Sequence, residues 1–363
     1  PEGRELLRLF DTSAWAVIAK EFKDPRTQVH LLRLTTEFMM LPESPGTAFA
    51  LMLMAGLYHS YNCGIAIGGS QSFADALVRC IRHHGGVVET GVEVSRIETQ
   101  GGRATAVITA SGERINAKQA VIAGIPPWKL NHFVDGVDEL ARRADQVPAS
   151  DYTCFLSHLA LAEAPKPICA PEHHNMCFTI VAERDPQKVL QMARDVTANR
   201  LPQGFSSAYV CASNQDPSRA PPGKATLYLY HLAPKTLAGK GANGWDEIKD
   251  EFGQWLISNT RRYVPNLTPD NILGVSHCSP LDIARESASY KFGDVAGLAT
   301  TPEMLIHGRP LPELAQFRVP GVDGLYLCGP FMHPGGGATG GGRAVAMRVL
   351  LDRGMDLKSA FVY

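Results

Sequence analysis

One stretch limits the folds open to this chain more than any other: Gly324-Leu325-Tyr326-Leu327-Cys328-Gly329-Pro330-Phe331-Met332-His333-Pro334-Gly335-Gly336-Gly337-Ala338-Thr339-Gly340-Gly341-Gly342-Arg343. Leu325 to Leu327 is a short apolar run bounded by glycines, the pattern of a buried strand. The glycines that follow allow positive φ and let backbone approach a ligand closely. The pattern then predicts a helix from about Thr339 to Leu351. A helix starting there points free N–H groups and the positive end of its dipole into the turn, which suits an anion or an electron-rich ring. Taken alone, the run also reads as a glycine-rich surface turn with no ligand.

What surrounds this run must supply its partners. A length of 363 residues with 45% hydrophobic content supports two domains with real cores. A formal net charge of -1, with Lys and Arg spread along the chain, excludes the basic footprint of a nucleic-acid binder. The 8 cysteines include no CxxC, so no metal site is expected. Free cysteines in apolar runs point to a reducing compartment, cytoplasmic or an organellar matrix. The most apolar stretch, Thr47 to Tyr58, is shorter than the ~20 residues of a membrane span.

Residues 1–58 read as helical. Asp11, Thr12 and Ser13 are cap candidates for a helix to about Phe22, and Asp24-Pro25 starts another that runs to about Leu41. Ala48 to Tyr58 is apolar nearly all round and is expected to be buried, with Phe49, Met52 and Met54 as core or pocket lining. Ser70 caps a helix ending at Gly85-Gly86, and a short strand is expected from Gly86 to Thr90. A meander follows: Gly91 to Ile97, a turn at Gln100-Gly101-Gly102-Arg103, Ala106 to Thr109, and Arg114 to Ala117, then an apolar strand over Ala120 to Gly124. Farther on, Cys154 to Leu161, Cys177 to Val181, Ser207 to Ala212 and Ala225 to Leu232 read as an antiparallel sheet. Helices are expected over Pro186 to Val196 and Trp245 to Tyr263, the second capped by Asn243. The side of the sheet bearing Tyr228, Tyr230 and His231 is either a substrate face or ordinary packing. From Ser279 the chain reads as irregular until the focal strand.

The C-terminal run resembles the phytoene desaturase-like group of FAD-dependent oxidoreductases, which includes carotenoid desaturases and proteins described as pyridine nucleotide-disulphide oxidoreductase domain-containing. The matching residues are Ser279-Pro280-Leu281-Asp282, Arg309-Pro310, Leu314, Phe317 to Pro320, Gly324 to Gly329, His333 to Gly337, Gly340 and Gly342-Arg343. A second block matches at Gly68-Gly69, Ala74 to Leu77, Gly85-Gly86, Val94 to Ile97 and Ala120 to Ala123. The resemblance implies a mixed α/β (α+β) fold of amine-oxidase/desaturase-like architecture. It divides the chain into a helical substrate-side segment (1–60), part of a Rossmann-like FAD-binding domain (61–127), a substrate domain with an antiparallel sheet (128–320), and the C-terminal part of the FAD-binding domain (321–363). It implies FAD as cofactor, with Gly335, Gly336, Gly337, Ala338 and Thr339 cradling the ring and ribityl portion. Val94 then contacts adenine, Gly329 lies by the ribityl or phosphate, and His333 lies at the flavin edge. His333 is the only catalytic candidate, and its alternative is a structural histidine that fixes the turn. No general base is implied, because the chemistry is hydride removal by flavin.

The chain departs from this group in two places. It has no opening strand–GxGxxG–helix unit to hold the pyrophosphate: Gly335 to Gly342 follows a strand but sits at the wrong end of the chain, with no second strand within about 20 residues to supply the acidic residue for ribose, and Ala344 stands where relatives usually carry Asn. It also opens Pro1-Glu2-Gly3-Arg4. The expectation is therefore the C-terminal portion of a flavoprotein, acting on a small apolar substrate, with the GxGxxG unit carried by a missing N-terminal segment or a partner polypeptide. Peripheral membrane contact and homo-oligomer formation are further expectations about partners. The competing expectation is a non-catalytic remnant or interaction module that does not hold FAD by itself.

Overall fold

The computed structural model describes residues 2–60, 64–304, 306–335 and 340–357. It forms two compact units, one made of Pro1–Val88 and Asp151–Val295, the other of Glu89–Ser150 and Ala296–Tyr363. These boundaries differ from the expected breaks after residues 60, 127 and 320. Residues 128–150 and 296–320 join the second unit because Leu130, Val134, Leu314, Phe317 and Val319 share one apolar core with the focal strand. Residues 61–88 fall with the first unit.

The first unit opens with helices α1 (Glu2–Phe10), α2 (Ala14–Glu21), α3 (Pro25–Thr36), α4 (Thr47–Ser60) and α5 (Ser70–His83). The side chains of Ser13 and Asp24 cap α2 and α3 as their sequence positions predict. Helix α3 stops five residues short of Leu41. Met39 takes a left-handed conformation (φ 55), and Asp151 clamps the reversal: its N–H donates to the Met39 carbonyl at 2.9 Å and its carboxylate accepts the Leu41 N–H at 2.8 Å. Only the first turns of α4 are buried. Met52, Leu53, Leu57 and Tyr58 are exposed, so the expected fully buried helix is corrected. Phe49 stacks on Phe10 at 4.3 Å and is a packing residue. Gly69 takes the cap position of α5 in place of Ser70, because its φ of +100 suits glycine and Ser70 is already helical. Residues 86–90 pair with no strand.

In order along the chain, the second unit supplies β1 (Val94–Gln100), β2 (Arg103–Thr109), β3 (Arg114–Asn116), β4 (Val121–Ala123) and α6 (Asp138–Asp145). The first unit then continues with β5 (Thr153–Leu161), β6 (Phe178–Ala182), α7 (Pro186–Thr197), β7 (Ser206–Val210), β8 (Ala225–Ala233), α8 (Gly244–Arg261), β9 (Ile272–Cys278) and α9 (Pro280–Glu286). Its antiparallel sheet runs β6-β7-β8-β5-β9. Strand β9 carries no alternation in burial because it is an edge strand with mostly exposed residues. Helix α9 replaces the irregular chain expected after Ser279. Ser279 and Asp282 form a reciprocal capping box, with Pro280 at the first helical position.

One face of this sheet packs on α8 through Phe155, Phe205, Leu227 and Leu229 against Trp245, Phe252 and Leu256. Alternation by two puts His231 on this buried face, with its ring 5.2 Å from that of Trp255. Tyr228 and Tyr230 point to the opposite face, so the three residues do not form one surface.

The second unit closes with β10 (Leu325–Leu327) and α10 (Gly340–Asp352). It holds the antiparallel meander β1-β2-β3 and a parallel pair, β10-β4.

Candidate functional site

The parallel pair places the focal turn. Leu325, Tyr326 and Leu327 align with Val121, Ile122 and Ala123, and the Cys328 N–H continues the ladder to the Ala123 carbonyl at 2.9 Å. All three residues of β10 are buried, as their apolar run predicts. The chain leaves the strand at Gly329 with φ +124, a conformation side chains rarely adopt. Met332 N–H then donates to the Gly329 carbonyl at 3.1 Å, and Gly335 N–H to the Met332 carbonyl at 2.8 Å. Phe331 anchors the turn, its ring edge-on to Trp128 at 4.8 Å.

Helix α10 begins with Gly340-Gly341-Gly342. A Cβ on Gly341 would stand 3.4 Å from the Gly329 carbonyl oxygen, and one on Gly340 3.2 Å from Pro334 Cγ. The absence of side chains therefore lets the first turn of the helix settle on the end of the strand. At its other end, Asp352 accepts hydrogen bonds from Arg318 Nε at 2.6 Å and the Tyr326 hydroxyl at 2.8 Å, and it also pairs with Arg348. These cationic partners, Arg318 first, hold its carboxyl well below the usual carboxylate range.

A residue that sequence reasoning assigned no role lies beneath the turn. Arg309 is buried, and its guanidinium donates to three backbone carbonyls: Pro330 at 2.9 Å, Ala299 at 3.0 Å and Ala296 at 3.3 Å. A Cβ on Gly335 would lie 3.6 Å from its guanidinium carbon. The only signal for it was the Arg309-Pro310 pair in the resemblance, since a lone arginine does not announce its burial. His333 is half-buried in the same turn. Burial, and then the charge of Arg309, lower its pKa, so the ring is neutral at pH 7.

Of the sequence-predicted residues, Gly329, His333 and Gly335 therefore come together in one turn. Gly336, Gly337, Ala338 and Thr339 lie outside the described residues. Val94 opens β1 on the separate meander, where its ladder partner is Thr109. No group of His, Cys, Asp or Glu among the described residues is arranged to hold a metal ion, and none of the described helices is long and apolar enough to cross a membrane. Within the first unit, a cavity of about 890 Å³ is lined by Ile65, His158, Val210, Arg219, Tyr228 and Val275 among others.

The glycines at 329, 335 and 340–342 leave the backbone of the turn and of the first turn of α10 without side chains, and a helix N-terminus of this kind suits an anion or an electron-rich ring.

Comparison with known proteins gives the family. Residues 37–350 match the flavin containing amine oxidoreductase family. Rat pyridine nucleotide-disulfide oxidoreductase domain-containing protein 2 is 26% identical over 334 residues, covering 86% of this chain and 56% of the relative. The phytoene desaturase (lycopene-forming) of a Paracoccus species is 27% identical over 360 residues, covering 96% and 66%. The chain thus spans between half and two thirds of the length of these relatives. An oxidoreductase structure from Methanosarcina mazei superimposes with a TM-score of 0.59 at 16% identity, covering 94% of this chain and 68% of that one. A triple mutant of putrescine oxidase gives 0.54 at 13% identity, covering 96% and 68%. These structural likenesses establish the amine-oxidase type of architecture. The chain belongs to the flavin containing amine oxidoreductase family, in its phytoene desaturase-like group.

Proposed function

We propose that this chain supplies the flavin-ring side of an FAD-dependent oxidoreductase that removes hydride from an apolar or conjugated organic substrate. The observation that carries this reading is the strand–glycine turn–helix unit seated on Arg309. Bound FAD supplies the hydride acceptor. The chain's own residues present N–H groups from the start of α10, hold the turn rigid through Arg309 and Phe331, and keep a neutral His333 at its rim. The apolar walls of the first unit's cavity, Ile65, Val210 and Val275, suit an apolar substrate. The name of the Paracoccus relative points the same way.

The string GxGxxG occurs at Gly239–Gly244 and at Gly335–Gly340, but the first opens α8 beside the antiparallel sheet and the second comes after β10 with no further strand among the described residues, so the pyrophosphate is assigned to a polypeptide outside residues 1–363 that carries the fingerprint in a strand–turn–helix unit. The test is flavin absorbance in two preparations supplied with FAD: residues 1–363 alone, and the same residues together with a GxGxxG-bearing polypeptide. Colour and dye reduction by an apolar substrate are expected only in the second. Colourless protein in both would favour a non-catalytic module. Stoichiometric FAD on residues 1–363 alone would remove the divided-site part of the proposal and leave the flavoenzyme reading standing.

A further inference from the structure

Two cysteines outside the glycine turn face each other at the open end of the antiparallel pair β6–β7 in the first unit. In the β6–β7 ladder, Phe178 pairs with Val210 and Ala182 with Ser206. One step beyond, Cys211 N–H donates to the Cys177 carbonyl at 2.7 Å, so the register continues with Cys177 opposite Cys211. Directly opposed residues send their side chains to the same face. A hydrogen-bonded antiparallel pair has Cα atoms about 5.5 Å apart, inside the ~4.4–6.8 Å range of disulfides. Both thiols are free in the structure.

The two sulfurs differ in access. Cys177 is half-buried and therefore within reach of a small reagent, whereas Cys211 is fully buried and its Sγ lies 3.5 Å from the Ser213 hydroxyl. Burial raises the pKa of both thiols. For Cys177 the positive charge of Arg219 works in the opposite direction, favouring the thiolate.

We propose that Cys177 and Cys211 are a redox-convertible dithiol that closes to an intramolecular disulfide on exchange with a low-molecular-weight disulfide such as oxidised glutathione. The Cys177 thiolate attacks one glutathione sulfur, forming a mixed disulfide and releasing one glutathione thiolate. Cys211, giving up its proton, then attacks the Cys177 sulfur and releases the second glutathione. The two protein thiols lose two electrons and two protons, and one glutathione disulfide becomes two thiols. The bond ties down the start of the loop through Ala212 and Arg219, which line the cavity. Asp216 in the same loop accepts the Gly68 N–H at 2.7 Å.

The test is non-reducing peptide mapping of the native chain after incubation with oxidised glutathione. The expected result is one cross-linked peptide joining Cys177 to Cys211. Cys211→Ala should instead trap a single glutathione on Cys177, and Cys177→Ser should leave Cys211 unmodified. Wild-type protein that carries only a stable glutathione adduct, links Cys177 to the exposed Cys169, or does not react at these positions overturns the proposal, whether or not the variants fold. In oxidised protein, amide exchange over residues 212–219 should slow. Unchanged exchange there removes the link to the cavity wall.

Discussion

Arg309 shows how one side chain governs the candidate site. Its fork satisfies three carbonyls that would otherwise be buried near a glycine turn, and no lysine can reproduce that geometry. Arg309→Met is expected to lower stability by roughly 3 kcal/mol, since hydrogen bonds to charged groups contribute about 1.5–3 kcal/mol and their loss strands buried acceptors. Arg309→Lys should recover only part of this. Urea denaturation of the three proteins checks it, and a Met variant as stable as wild type would contradict the role. His231 gives a pH signature. Burial first, and the charge of Arg33 in addition, depress its pKa to about 4 from 6.5, although its Nδ1 lies 2.7 Å from the Leu232 carbonyl. The unfolded chain takes up a proton below pH 6.5 that the folded ring refuses. Stability therefore falls as pH drops from about 6.5 to about 4, by on the order of 3 kcal/mol. His231→Phe should flatten that part of the stability–pH curve, and an unchanged slope would show that the histidine charges freely in the fold.

The helices show which sequence signals survive folding. Ser13 and Asp24 cap their helices from the positions their chemistry marks, because an N-cap needs only the next three residues. Helix α9 obeys the same local rule through Ser279 and Asp282. Sequence reading passed over it because its seven residues are too few to show a helical period. Ser279→Ala is expected to cost about 1–2 kcal/mol in thermal or chemical unfolding, with Ser279→Thr near wild type. A neutral Ala variant would mean that the box adds nothing beyond the packing of Pro280 and Ile283. Apolar composition was less informative. It suggested burial of all of α4, yet Met52, Leu53 and Leu57 are exposed, and α5 has no buried residue while Phe73, Leu77 and Ile81 lie exposed along it.

Across the whole molecule, each unit is assembled from separated stretches of chain, so its core joins residues far apart in sequence. Val121 and Leu325 sit side by side in one ladder although about 200 residues separate them. A ligand that binds only this assembled state must stabilise it. With the GxGxxG-bearing polypeptide present, FAD at 100 times its dissociation constant is expected to add about 2.7 kcal/mol to unfolding. Scanning calorimetry at graded FAD concentrations checks this, and a melting temperature independent of FAD would argue against flavin binding to the folded state.

Local sequence patterns were enough for the buried strand over Leu325–Leu327, the glycine turn, the hairpin at Gln100 to Arg103 and most strands of the antiparallel sheet, because each depends on neighbours a few residues apart, where turn chemistry and periodicity act; the family was legible from two motif blocks kept in order along the chain. Folding in three dimensions was needed to show that 128–150 and 296–320 share a core with the β10 strand, that β4 runs parallel to β10, that His231 turns away from Tyr228, and that Arg309 lies buried under Gly335. Those outcomes depend on which distant surfaces exclude water together and on which buried polar groups find partners, and no local pattern encodes either.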